Sequence, residues 1–189
     1  MDGNLTNTQI VLIVAVVVLV VAALVFWYMR KRSADLRRKF GPEYESALKE
    51  HGSVRIAEAK LADREKRVSK LRIRELTTQE REDFQRRWLG VQSRFVDSPR
   101  EALLDADALL SSVMSTRGYP VADFEQRAAD VSVDHPRVIE NYRAGHDIAL
   151  KLNRGDATTE EMRKAMLHYR SLFDDLVTEP RQMATKEVA

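Results

Sequence analysis

Residues 10–29, from Ile10 to Met29, run for twenty positions without a charge, an amide, a glycine or a proline. A helix rises about 1.5 Å per residue, so this stretch is about 30 Å long, the thickness of a bilayer's hydrocarbon core. The soluble core of a 189-residue chain does not call for so long an unbroken apolar helix. The stretch therefore reads as a transmembrane helix. Arg30, Lys31 and Arg32 follow it at once, then Arg37, Arg38 and Lys39, whereas residues 1–9 carry one side-chain charge, Asp2. Basic flanks stay in the cytoplasm, which predicts a single-pass protein of the cell membrane with a short external N-terminus over 1–9 and the remainder cytoplasmic. Trp27 and Tyr28 suit the membrane interface, where an amphipathic ring keeps its polar end wet. A cleaved signal fits poorly: residues 1–9 hold no Lys or Arg, and the run ends in Phe26-Trp27-Tyr28-Met29-Arg30 without a small-x-small cleavage site. An anchored domain on the outer side is the alternative topology.

The formal net charge of +2 conceals a division. Residues 30–39 hold six Lys or Arg against one acid, Asp35, which leaves 25 basic and 27 acidic residues in 40–189. A nucleic-acid binder concentrates its cations on the folded domain, so this chain is not read as one. The basic juxtamembrane segment, 30–41, is a topology signal that also attracts anionic headgroups, making the lipid bilayer the first expected partner. Leu36 and Phe40, four apart, form an apolar edge suited to lying on that interface. The absence of cysteine removes disulfide scaffolds, thiolate zinc sites and thiol nucleophiles together.

Beyond the anchor every segment reads as helix. Gly41-Pro42 punctuates the chain, and 42–75 is dense in Ala, Glu, Lys and Arg. Phe40, Ala47, Val54, Leu61 and Val68 recur every seven residues, the narrow stripe of a helix with one partner. Glu43, Glu50 and Arg64 fall where the complementary stripe wants apolar residues, and Gly52 interrupts the middle. The expectation is a charged stalk helix over 42–75, with homodimerisation through 40–71 as the alternative.

From 76 to 178 the apolar faces widen into a helical bundle. Thr77-Thr78-Gln79-Glu80 has capping-box spacing, and Phe84, Trp88, Val91 and Phe95 share one helix face. Asp97-Ser98-Pro99 restarts the chain, with Leu103, Ala106, Leu110 and Val113 inward until Gly118-Tyr119-Pro120. A short helix is predicted from about Ala122 to Val131. Asp134-His135-Pro136 is expected to open the next, with Asp134 as its cap and Val138, Tyr142, Gly145, Ala149 and Leu152 inward. Thr158 or Thr159 caps the last, whose face is Met162, Ala165, Met166, Tyr169, Leu172 and Leu176. Residues 179–189 read as a polar tail. The fold class is all-α: an N-terminal transmembrane helix, a charged stalk and a compact antiparallel bundle of four to five helices.

Catalytic signatures are missing. No Gly-x-Gly-x-x-Gly, no Gly-x-Ser-x-Gly and no Glu-x-x-His pair occurs. His51 sits in the charged stalk, while His135, His146 and His168 come from different helices, so no metal site and no cofactor is expected. The chemically densest region is 117–147, where acids, arginines, an imidazole, an amide and phenols surround two turns. Tyr119, Phe124, Arg127, Asp134, His135, Arg137 and Asn141 are its candidate partner-binding residues. Around Arg-Gly-Tyr-Pro (117–120), Phe-Glu-Gln-Arg-Ala-Ala-Asp (124–130) and Val-Asp-His-Pro-Arg-Val-Ile-Glu-Asn-Tyr-Arg (133–143), the chain resembles an uncharacterised group of small bacterial single-pass membrane proteins with a helical soluble domain. That resemblance implies a bacterial origin and brings no activity and no site residues. The functional expectation is a membrane-anchored cytoplasmic interaction or scaffold module with a protein partner. The alternative is an enzyme with a non-standard site in 117–147.

Overall fold

No proline or glycine interrupts residues 7–40, and they form one continuous helix, α1 (Asn7–Phe40). The computed structural model describes residues 7–120 and 123–178, and all regular structure among them is α-helical. Residues 1–6 of the expected external N-terminus over 1–9, the polar tail over 179–189 and the predicted helix start at Ala122 lie outside the described residues, and 7–9 begin α1. The chain divides into two units, the first ending at Lys39 and the second beginning at Phe40.

In the first unit, α1 is long and apolar enough to cross a membrane. Its large apolar side chains from Leu12 to Met29 are 51–69% exposed, and none of its most apolar window is buried. Phe40, read with Leu36 as an interfacial edge, belongs to the second unit and is buried there.

In the second unit, Gly41 turns the chain at φ 48° and Pro42 occupies the first turn of α2 (Pro42–His51). Gly52, left-handed at φ 65°, caps that helix, and α3 (Val54–Val68) folds back against it. The segment expected to be a single stalk helix is thus a two-helix hairpin, broken where glycine supplies the positive φ that other residues resist. Phe40, Ala47, Leu61 and Val68 from the sevenfold stripe are buried within this chain, and Val54 is half exposed. Glu43, 1% exposed, accepts from Arg64 Nη1 (2.5 Å) and Arg143 Nη2 (2.8 Å) at Oε1, and from Arg143 Nη1 (2.6 Å) at Oε2. Ser46 donates to Glu140 at 2.5 Å, and Arg67 reaches the buried Asp130 at 2.7 Å. These polar contacts fasten the hairpin to the helices that follow.

After a connector over 69–77 come α4 (Thr78–Arg94), α5 (Pro99–Arg117), α6 (Phe124–Asp134), α7 (Ile139–Arg154) and α8 (Thr159–Thr178). Thr77 and Glu80 form the expected capping box, with backbone-to-side-chain bonds of 3.2 and 2.9 Å. Bonds from Arg74, then Thr77, hold the Glu80 carboxyl down at about 2. Thr158 rather than Thr159 builds the equivalent box with Glu161. α8 packs on α7, α5 and α4, while α6 bridges α3 and α7. Trp88 is buried and stacks on Phe173 with centroids 4.6 Å apart at 14°. The inward faces read for α4, α5 and α8 are buried, apart from Phe95, which is half-buried.

Asp134 is a correction. It does not open α7 but is the last residue of α6, and its carboxylate accepts the Tyr119 hydroxyl at 2.9 Å. Pro136 falls in the turn between the helices, and α7 begins at Ile139 behind Val138. The phenol competes for the oxygen that capping would have used.

Candidate functional site

The two predicted groups of site residues end in different places. On α1, Trp27, Tyr28, Arg30, Lys31, Arg32, Arg37, Arg38 and Lys39 are all exposed. The Lys31 ammonium lies 5.4 Å above the Trp27 ring, and Arg38 pairs with Asp35 at 2.6 Å. The 117–147 group is dispersed. Tyr119 binds Asp134, Asn141 joins His168 (3.0 Å) and Ser171 (3.1 Å), Arg137 is exposed, and His135 turns inward. Phe124 and Arg127 converge with residues from three other helices.

That convergence starts from the cap of α6. Asp123 accepts the Gln126 amide at 2.9 Å and so sets the first turn, in which Phe124 and Arg127 share a face. The Phe124 ring stacks on His146 (centroids 3.5 Å, 6°) and tilts against Tyr142 (4.9 Å, 49°). Arg127 sits over the Tyr142 ring at 5.9 Å and donates to Ser111 Oγ at 2.8 Å. Tyr169 packs beside Tyr142, with centroids 6.2 Å apart. Gly145 makes this close approach possible, since a Cβ there would lie 2.6 Å from a Tyr169 ring carbon. Asp107, one turn before Ser111 on α5, supplies the acid.

The cluster is electrostatically tense. Burial pushes the Tyr142 and Tyr169 phenols up. Asp107 adds to the rise of both, and Arg127 opposes it. Burial pushes the His146 imidazole down against the pull of Asp107 and Asp147. Asp107 Oδ1, Arg127 Nε, Tyr142 Oη, His146 Nδ1 and Tyr169 Oη are closed to solvent and make no hydrogen bond of good geometry among the described residues, although Asp107 stands close enough to the Tyr169 phenol, and Arg127 to the Tyr142 phenol, to act on it. A buried polar atom left unpaired costs about 1–3 kcal/mol. High phenol pKa values keep both tyrosines protonated, so the cluster presents hydrogen-bond donors and an acid but no activated nucleophile.

A second buried node joins α5, α6 and α8. Arg117, 1% exposed, places Nη1 3.1 Å from His135 Nε2 and 2.9 Å from the Leu176 carbonyl. The other imidazole nitrogen of His135 pairs with Asp175. Among the described residues no group of three or more His, Asp or Glu is placed to hold a metal ion. An open depression of about 480 Å³ beside the start of α4 is lined by Thr77, Glu80, Asp83 and Arg86, with Glu80 already engaged by Arg74 and the cap.

Reading the sequence missed Asp107, Arg117 as a hub, and Asp175. Tyr169 was assigned to a helix face but not to this cluster. The one signal available was the pairing of inward tyrosines with Gly145, a residue without a side chain on a buried face. No protein-family model, no curated protein and no solved structure matches the chain.

Proposed function

We propose that the protein is a single-pass membrane protein whose helical unit from Phe40 onward serves as an interaction and scaffold module at the cytoplasmic face. The observation that carries this reading is the bareness of α1. Twenty apolar residues in a row, with Leu19 and Phe26 more than 60% exposed, have no protein to cover them, and a bilayer supplies the missing apolar surroundings. The cations that follow the run favour a cytoplasmic second unit. A docking role is supported by Leu89 and Val96, seven residues apart and 64% and 83% exposed, with Leu104 exposed on the neighbouring α5. Three polar atoms of the cluster in 117–147, Arg127 Nε, Tyr142 Oη and His146 Nδ1, are shut away from solvent, which gives a substrate no approach to them and favours the module over an enzyme built on that cluster.

Topology reporters test the reading. A cytoplasm-dependent reporter fused after residue 178 should be active, and the protein should stay with membranes through alkaline carbonate washing. Activity of a reporter that works only outside the cytoplasm would reverse the orientation. Release by carbonate would remove the anchor altogether.

A further inference from the structure

We propose that Asp107, Ser111, Tyr142 and Tyr169 form a site for the guanidinium of a partner protein's arginine, and that Arg127 occupies this site from within the chain. The proposal rests on the interaction-module reading and gives the partner a chemistry. The resident side chain shows what the site selects. The Arg127 guanidinium lies over the Tyr142 ring at 5.9 Å and donates from Nη1 to Ser111 Oγ at 2.8 Å. An electron-rich ring face and a hydroxyl acceptor suit a flat cation that carries only donors.

Arg127 fills the site incompletely. Its Nε makes no hydrogen bond of good geometry among the described residues, and neither do Asp107 Oδ1, His146 Nδ1 and the Tyr142 and Tyr169 hydroxyls. An ionised carboxylate only accepts, a phenol oxygen accepts as well as donates, and an imidazole nitrogen accepts in one tautomer. Four acceptors thus surround a cation that leaves a donor idle. The reason is its tether. Arg127 stands in the first turn of α6, and the Asp123 cap fixes the direction from which its side chain enters. An arginine brought from outside escapes that restraint and can present two donors in parallel.

The local charges ask for the same guest. Asp107, Glu125 and Asp147 all act on the His146 ring, and Arg127 is the one cation that acts against them. The next cation, Arg143, is bound by both oxygens of Glu43. Once Arg127 swings out, three acids remain around two fully buried phenols, an arrangement that attracts a cation and repels a carboxylate. It therefore favours an arginine within a peptide over the free amino acid, whose own carboxylate would meet those acids. Entry is from the side of Phe124 and Arg127, which are half-buried, whereas Tyr142 and Tyr169 are fully buried. Both covering side chains belong to the first turn of α6, and the atoms beneath them stay closed while that turn is in place. The guest must compete with Arg127, so its apparent affinity is reduced by the fraction of molecules in which the site is taken.

The test is fluorine NMR on the full chain in lipid nanodiscs, with fluorotyrosine at the five tyrosines. Tyr28, Tyr44 and Tyr119 serve as internal controls. The probe is N-acetylarginine amide, and N-acetylcitrulline amide is its neutral isostere. In Arg127→Ala the arginine probe should shift the Tyr142 and Tyr169 signals and bind about tenfold or more tightly than it binds the wild type. Adding Asp107→Asn should weaken that binding by about tenfold or more. Equal affinity for wild type and Arg127→Ala, equal binding of the citrulline compound, or no shift at Tyr142 and Tyr169 overturns the site. Free arginine binding more tightly than the blocked form overturns the assignment to a partner protein. Should Arg127→Ala not fold, the wild type decides. The arginine probe must then shift the same two signals and Asp107→Asn must remove the shift, and failure of either overturns the proposal. None of these outcomes depends on the side of the membrane on which the unit lies, so this titration and the topology reporters fail separately.

Discussion

Glu43 and Asp107 are both acids placed against an arginine and among helices, yet their surroundings are opposite. Around Glu43 both carboxylate oxygens are occupied, by three contacts from Arg64 and Arg143. Around Asp107 the neighbouring guanidinium, two phenols and an imidazole each leave an atom unpaired. The first arrangement fixes α2, α3 and α7 in one register, because moving any of the three exposes a charge. The second has hydrogen-bonding capacity to spare on four helices. A saturated cluster specifies structure, and an unsaturated one stores unfavourable free energy that a rearrangement can release.

Substitutions that treat the two clusters alike separate them. The largest effect is expected for Glu43→Ala, which strands two arginines against a packed hairpin and should cost about 3–5 kcal/mol in denaturant unfolding. A cost below about 1 kcal/mol would make the clamp ornamental and erase the contrast. Gly145→Ala comes next, at about 1–3 kcal/mol, because its Cβ collides with a rigid ring rather than with the end of a flexible chain. The alanine gains up to about 1 kcal/mol of helix propensity, so a neutral result would mean that Tyr169 yields easily. The smallest effect is expected for Tyr169→Phe, which deletes an unpaired hydroxyl and should leave stability unchanged or raise it by up to about 1 kcal/mol. A loss above about 1.5 kcal/mol would show that the hydroxyl is well bonded and that the second cluster is as saturated as the first.

The sequence exposed the contrast only on one side. Glu43 and Arg64 stood out as charges where a coiled-coil stripe wanted apolar residues, and that misfit was the trace of their pairing across the hairpin. Gly52 marked the break that turns a stalk into two helices. The capping box at Thr77, the presence of a threonine cap at Thr158 or Thr159, and the faces carrying Trp88, Leu110 and Leu172 follow from local spacing and were legible for that reason. The Asp107 cluster was not, since it draws on α5, α6, α7 and α8, and nothing local says that residues 107, 127 and 169 meet. Asp134 failed as a cap for a related reason: a partner from outside its own helix, Tyr119, claimed its carboxylate.

Arg117 has a kinetic consequence as well. Its contacts reach back 43 residues to Arg74 and forward 18 and 59 residues to His135 and Leu176. Each requires a loop to be closed before it forms, and all three converge on one guanidinium that must shed its water. Such contacts assemble after the local helices and after most of the apolar collapse. Their free energy therefore belongs to the descent from the transition state to the native state. Weakening them leaves the folding rate nearly unchanged and appears almost wholly as faster unfolding. Arg117 governs how long the folded unit lasts more than how quickly it forms.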